Sequence, residues 1–448
     1  APLMDSLLDW CHNGFRTINF VTKGSNPFVE HFSAVQAEVP DPEDMENTGI
    51  NTQFIQNVME GDEILLAGEE RIRAIIVESS NPLLTWPDTP ALEKAFQSLE
   101  LLVVVDVAMT ETARLAHYVL PASSQFEKWE FTGFNLEFPH NGFHLRHALL
   151  PTYADTLPEP EIYTRILEKM AVIPSKFTVL SRIAKYEPKA SKHLAFMAAA
   201  FAALAKNKHW QPFAVSILYR TLGQVLPEGA AAAAPLLPLA IQLAVEHPQA
   251  VRRAGYQGNR LTLGADLFKA ILEKRSGLIF SEHHYDEVWS LVKTKDKRIQ
   301  LAIDEMLAEL RALPTQAEPT SSEYPFILAA GERRSYNANQ IYRDPAWRKV
   351  DRHGAMRMNP EDAASLGLLE GETALCRSKQ GEIKVVIEID EAMRKGTLSL
   401  PHGYGIRYNN GEVIGPELNK LTSSKDCDPL SRTPYHKVVP VHVQKIIE

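Results

Sequence analysis

Residues 101–105, Leu-Leu-Val-Val-Val, form an unbroken apolar run that ends on Asp106. A strand without polar alternation must be covered on both faces, which a parallel sheet flanked by helices provides. The neighbouring text agrees. Arg73-Ala74-Ile75-Ile76-Val77-Glu78 is a second short apolar run, closed by the turn Ser79-Ser80-Asn81-Pro82. Between the two runs, Pro90 to Ser98 has helical spacing; after them, Thr110 to His117 reads as a short helix and Tyr118 to Leu120 as a third strand stopped by Pro121. Strand and helix alternating at this interval predict an α/β domain over residues 1–178 with a parallel sheet. Ligands of such sheets bind at the carboxyl ends of the strands.

Those ends carry polar groups. Ser80 and Asn81 follow the first strand, where short side chains and backbone N–H groups can hold ribose or phosphate; the same residues also suit a plain Asn-Pro turn. Asp106 follows the second strand, where a carboxylate can accept from ribose hydroxyls or a guanine edge, or can cap a helix. Thr110 and Thr112 are candidate caps of the next short helix.

From residue 179 to 322 the text is expected to be a helical insertion followed by a linker, with helical period in His193–Lys206, Trp210–Leu226, Leu263–Lys274, Tyr285–Lys293 and Ile299–Leu313. Gly229 to Val245 is nearly all apolar, but it is short for a membrane span and contains Pro235 and Pro238, so a buried helix pair is expected. From Pro325 onward the grammar becomes that of a β-barrel: Phe326–Ala330, Glu372–Arg377, Ile383–Ile389, Gly396–Leu400 and Lys437–Lys445 are candidate strands, with Gly371 and Gly381 at turns.

The totals exclude several classes. The 448 residues suffice for two or three domains. A net charge of −9 argues against nucleic-acid binding, which needs a basic face. Cys11, Cys376 and Cys427 are far apart and no pair has metal-ligand spacing. Ala1-Pro2-Leu3-Met4-Asp5 lacks signal-peptide character and an initiator Met, and reads as an internal start.

The last stretch carries Gly331-Glu332-Arg333-Arg334-Ser335-Tyr336-Asn337-Ala338-Asn339 after an apolar strand. It continues with Met358-Asn359-Pro360-Glu361-Asp362-Ala363, Leu400-Pro401-His402-Gly403-Tyr404-Gly405, Asn419-Lys420-Leu421-Thr422 and Asp428-Pro429-Leu430-Ser431. In that order the pieces resemble the C-terminal dinucleotide-binding domain of the molybdopterin oxidoreductases, the dimethyl-sulfoxide reductase superfamily that includes formate dehydrogenases and nitrate reductases. Upstream, Val104-Val105-Asp106-Val107-Ala108-Met109-Thr110-Glu111-Thr112-Ala113 and Ala116-His117-Tyr118-Val119-Leu120-Pro121 are similar to the family's strand-Asp-Thr-Ala and "ADVVLP" signature, with His117 where Asp is usual.

The resemblance implies a Rossmann-like domain, the helical insertion, and a six-stranded double-psi β-barrel over 323–448. It implies a cofactor of two molybdopterin guanine dinucleotides with Mo or W. Around it would lie Ser80, Asn81, Val105, Asp106, Thr110 and Lys128 from the first domain. The barrel would add Gly331, Arg333, Arg334, Ser335, Asn337, His402, Gly403, Asn419, Tyr435 and His436. Arg333 and Arg334 suit a pyrophosphate clamp through bidentate forks, and Lys128 would place a cation near phosphate or guanine. Glu161 aligns with an acidic position that reaches the guanine in relatives. The loop from Gly331 to Asn339 favours a formate dehydrogenase-like subclass.

The family's metal-ligating residue and the Cys cluster for a [4Fe–4S] centre lie upstream of the matching region. Cys11 precedes the third family domain and reads as an incidental or buried cysteine, so no catalytic residue is assigned. The expected partners are therefore a missing N-terminal half or a separate polypeptide, and an electron-transfer subunit, with no nucleic acid and no membrane span. A cytoplasmic location is expected, or a periplasmic one if a twin-arginine signal lies upstream. The alternatives are a non-catalytic assembly subunit and a split enzyme.

Overall fold

A computed structural model of the chain describes residues 72–132, 138–292, 294–299, 301–313, 319–332, 351, 353–408, 410–427 and 434–446. It divides into two compact units. One is built from Leu120–Ile299, and the other joins the described residues before Leu120 to those of Gln300–Glu448. The contact boundaries thus fall within the third strand and just ahead of the helix Asp304–Ala312, whereas the change of text falls at 178 and 322.

The second unit opens with the parallel sheet. Strand β1 (Ala74–Glu78) pairs in parallel with β2 (Leu101–Asp106), in register from Ala74 opposite Leu101 to Glu78 opposite Val105. A third strand, β3 (Tyr118–Pro121), completes the order β1-β2-β3. Helices α1 (Pro82–Thr85), α2 (Thr89–Gln97) and α3 (Glu111–Leu115) connect them. Leu102 and Val104 are fully buried with Ile75 and Val77 from β1 and Leu92 and Phe96 from α2, so the apolar run is covered as its composition demands. Asp88 caps α2 by accepting from Ala91 N.

The first unit is mainly helical around a small antiparallel sheet, β4 (Glu130–Thr132), β5 (His140–Arg146) and β6 (Leu278–Glu282), in that order. Strand β6 corrects the expectation of a purely helical insertion: its partner β5 lies far upstream, where periodicity gives no sign of it. Phe196, Ile217, Leu222, Leu237, Leu263 and Leu267 form the centre of this core. Trp210–Leu226 is not one helix. Pro212, which lacks a backbone N–H, lies in a 3-10 segment, Ala214–Arg220 is helical, and Leu222–Val225 is again 3-10. The apolar stretch from Gly229 becomes a 3-10 turn (Ala230–Ala233) and a helix (Leu236–Glu246) that buries Leu237, Ala240 and Ala244. Among the described residues no helix is long and apolar enough to cross a membrane.

The barrel belongs to the second unit. Strands β7 (Phe326–Glu332), β8 (Met356–Met358), β9 (Thr373–Arg377), β10 (Glu382–Ile389), β11 (Thr397–Pro401) and β14 (Val439–Lys445) close in the order β10-β8-β11-β7-β14-β9. Between β11 and β14 lies the hairpin of β12 (Ile406–Arg407) and β13 (Val413–Ile414). Period-2 alternation sends Ala374 and Cys376, then Ile383, Val385 and Ile387, then Val441 and Val443 inward. The helix Pro360–Leu366 starts on Asn359, whose side chain accepts from Glu361 N, and its Asp362 carboxylate accepts from Gly396 N at 2.7 Å. Asp362 is thereby structural.

Candidate functional site

The parallel pairing sets the carboxyl ends of β1 and β2 side by side. Ser79 N still donates to Val105 O at 2.9 Å, and Ser79 then turns through a positive φ of 48° to launch Ser80 and Asn81, both buried. Asn81 Oδ1 accepts from Thr112 N at 3.1 Å and from Thr112 Oγ1 at 2.9 Å, and its Nδ2 donates to Glu111 Oε2 at 2.6 Å. Asp106, at the end of β2, accepts through Oδ1 from Ala108 N at 3.1 Å, an Asx turn that shapes the following loop. A carboxylate accepts several hydrogen bonds at once. Val105, one residue earlier, is fully buried and its carbonyl accepts from Ser79 N. Thr110 caps α3, its Oγ1 accepting from Ala113 N at 3.1 Å.

The same loops are bonded to the barrel. Glu111 Oε1 accepts from Arg407 N of β12 at 2.8 Å. Asn419, in the turn Leu418–Lys420, donates from Nδ2 to Leu84 O at 2.8 Å and accepts at Oδ1 from Thr422 Oγ1 at 2.8 Å. Asp88 N donates to Thr422 O at 3.1 Å. Asn419, expected on the cofactor, is thus committed at both ends of its amide to the joint between sheet and barrel.

Strands β7 and β11 run parallel, and a register shift at Leu400/Pro401 brings Pro401 opposite Glu332. Their carboxyl ends therefore release two loops at the same rim of the barrel. Gly331 has φ +85°, and a Cβ there would lie 2.0 Å from His402 Nε2, so the His402 ring occupies the space that only glycine leaves. The ring of His402 lies 6.3 Å from that of His436. Ala330 N donates to His436 O, and His436 Nδ1–H donates to Pro434 O at 2.9 Å, which makes Nε2 an acceptor in the neutral ring. Tyr435 is about half exposed beside it. Gly403, with φ +82°, leads to Tyr404, whose hydroxyl donates to Asp351 O and whose ring is fully packed. Arg333, Arg334, Ser335 and Asn337 lie outside the described residues.

Lys128 lies in the first unit. Its ammonium holds both oxygens of Glu159, at 2.5 and 2.6 Å, with both side chains largely buried. The cation expected for phosphate or guanine is therefore neutralised by a carboxylate of its own unit. Glu161 is likewise engaged, by Arg220 at 2.5 Å and Arg165 at 2.6 Å. Burial acts to raise its pKa, but the two guanidinium partners outweigh it and hold the carboxyl below the usual range.

Glu111 and Thr112 are the residues that sequence reasoning undervalued. Their only signal is the Thr-Glu-Thr run at 110–112, in which Thr112 is a candidate cap and Glu111 carries no assigned role. No metal-binding group of three or more His, Cys, Asp or Glu occurs among the described residues.

Residues 326–440 match the model of the molydopterin dinucleotide binding domain, and residues 25–156 match that of the molybdopterin oxidoreductase family. The chain is 25% identical over 388 residues to the F420-dependent formate dehydrogenase 2 subunit alpha of Methanococcus maripaludis, covering 86% of this chain and 44% of the relative. It is 24% identical over 388 residues to the F420-dependent formate dehydrogenase subunit alpha of Methanocaldococcus jannaschii, again covering 44% of it. The nitrate reductase of Klebsiella oxytoca is 23% identical over 393 residues. The chain thus spans less than half the length of these relatives. Among solved structures, acetylene hydratase from Pelobacter acetylenicus superposes with a TM-score of 0.50 at 17% identity, covering 97% of this chain and 52% of that one, a likeness of fold. Two family models matched in order, on a parallel sheet followed by a closed six-stranded barrel, make this chain a member of the molybdopterin oxidoreductase superfamily.

Proposed function

We propose that the chain forms the nucleotide- and pterin-holding part of a bis(molybdopterin guanine dinucleotide) oxidoreductase of formate dehydrogenase-like type, containing Mo or W. The observation that carries this reading is one compact unit in which the carboxyl ends of β1 and β2 are hydrogen-bonded to the barrel, through Glu111 to Arg407 and Asn419 to Leu84. The donor set there fits a dinucleotide: Asp106 offers acceptors for ribose or guanine, Ser80 a short hydroxyl, Gly403 close backbone approach, and His436 an acceptor at Nε2. In this reading Arg333, Arg334, Ser335 and Asn337 add the phosphate clamp, and Gly331 gives His402 its place at the barrel rim. Asn81, Thr110 and Asn419 serve by fixing the loops, since their side-chain bonds run to the protein itself.

When bound, the cofactor supplies two-electron redox chemistry at its metal. The protein's part is to hold and orient it. The metal ligand, an iron–sulfur cluster and the electron partner are assigned to polypeptide outside this sequence, so the chain alone is expected to be inactive.

The test is chemical. The purified chain, produced in cells that make the cofactor, is acid-hydrolysed and assayed for GMP and for oxidised pterin fluorescence. Stoichiometric GMP with pterin supports the proposal. Asp106→Ala should lower GMP content severalfold while leaving the melting temperature near wild type. A chain that folds and carries neither GMP nor pterin refutes the proposal, and an Asp106→Ala protein with full GMP reduces Asp106 to a turn residue.

A further inference from the structure

We propose that Glu111 is a positioning residue, a two-ended acceptor that locks the loop after β1 to the β12 hairpin of the barrel and so sets the spacing of the loops that hold the dinucleotide. This rests on the function proposed above and assigns a role to a residue that binds no ligand itself.

The argument is one of obligatory donors. Asn81 Oδ1 faces Thr112 N, a backbone donor that cannot change role, so the Asn81 amide cannot flip and its Nδ2 must present hydrogen to Glu111 Oε2 at 2.6 Å. On the other side Arg407 N, also a backbone donor, meets Glu111 Oε1 at 2.8 Å. Position 111 therefore has a fixed donor at each end, and only a carboxylate accepts at both oxygens. Its neighbours show why the link matters. Asn81 follows directly on Ser80, and Arg407 lies a few residues after His402 and Gly403 on the barrel side. The sequence separation of 296 between Glu111 and Arg407 makes this bond a long-range tie between the two loop sets.

A Gln at 111 would turn an amide NH2 toward one of the two donors, leaving a repulsive contact where a charge-assisted bond had been. An Asp keeps the charge but is one methylene shorter and cannot reach both partners. The structure also specifies a repair. In Glu111→Gln/Asn81→Asp, Oδ1 of the new aspartate still accepts from Thr112. Its Oδ2 accepts from the glutamine Nε2, and the glutamine Oε1 accepts from Arg407 N. Donor and acceptor simply change places across one bond, at constant net charge.

The experiment compares wild type, Glu111→Gln, Glu111→Asp and Glu111→Gln/Asn81→Asp for two quantities: GMP retained through prolonged dialysis, and hydrogen exchange at the Arg407 amide. Both single variants are expected to lose GMP faster, and to exchange faster at Arg407, by on the order of tenfold, the effect of one unsatisfied donor. The double variant should return both to within about threefold of wild type, the remainder allowing for imperfect geometry. Rescue by the swap is an outcome that a general destabilisation of α3 would not give. If Glu111→Asp retains GMP like wild type, charge alone matters and the positioning role is wrong. If the double variant is no better than Glu111→Gln, or if Arg407 exchange changes while GMP retention does not, it is wrong as well. A wild type without GMP overturns the functional reading itself, whereas a loaded wild type with an equally loaded Glu111→Gln overturns only the role of Glu111.

Discussion

Gly264→Ala should destabilise the helical unit even though alanine is the better helix former. Gly264 lies in the helix Arg260–Glu273, which packs on Leu236–Glu246. A Cβ on Gly264 would lie 2.4 Å from Ile241 Cα, 2.6 Å from Ala240 O and 2.7 Å from Ile241 N. All three are backbone atoms, so no side chain can swing aside. Ordinary contact begins near 3.4 Å, and the helices must part by about 1 Å, loosening the packing of Leu237, Leu263 and Leu267 on the way. Overpacking of this kind costs roughly 3 kcal/mol, and the gain in helix propensity returns about 1 kcal/mol. The net of about 2 kcal/mol corresponds to a drop of roughly 4–8 °C in melting temperature for a domain of this size. Circular dichroism at 222 nm during heating, with urea titration to check that the slope is unchanged, measures it. A melting temperature equal to or above wild type would mean that propensity wins and that these helices do not meet backbone to backbone.

Other substitutions probe other parts. Arg220→Met removes a partner that Glu161 and Glu168 share, their side chains being 14% and 16% exposed, and should cost about 3 kcal/mol by urea denaturation at pH 7. The depressed pKa of Glu161 gives a stabilisation present above its unfolded value and lost as pH falls through the lower folded one; without Arg220 the loss should move toward neutral pH, and parallel stability–pH curves for the two proteins would refute this. Cys376 is buried, and burial pushes its thiol up to about 12; a thiol reagent at pH 8 should leave it unmodified until the barrel unfolds. Gly331→Ala should expel the His402 ring and cost roughly 1–2 kcal/mol for the left-handed backbone alone; unchanged His402 ring resonances would show that the two residues do not share that space.

What could be read in advance followed from local chemistry. The buried run at 101–105 and the alternation in β9 and β10 each encode their environment in a few consecutive residues, and Asn359-Pro360 announces a helix start within two. What escaped depends on distant partners or on lengths too short for a period. Strand β8 has three residues and completes the barrel only by lying between β10 and β11. The motif that names Lys128 says nothing of Glu159, 31 residues away, and the one that names Asn419 nothing of Leu84, 335 residues away. A motif names the residue type that a position requires. It does not say whether the bond it makes goes to a ligand or to the protein.

The strand order of the barrel also governs when it can exist. Strand β14 lies between β7 and β9 and pairs antiparallel with both, so until it arrives each of those two strands presents an unpaired edge. During synthesis at about 5–20 residues per second the strands from β7 to β11 emerge before β14. The ribosome thus exposes a half-built sheet with two adhesive edges until the segment Val439–Lys445 has cleared the exit tunnel. A nascent chain stalled before that point should be the species that recruits chaperones.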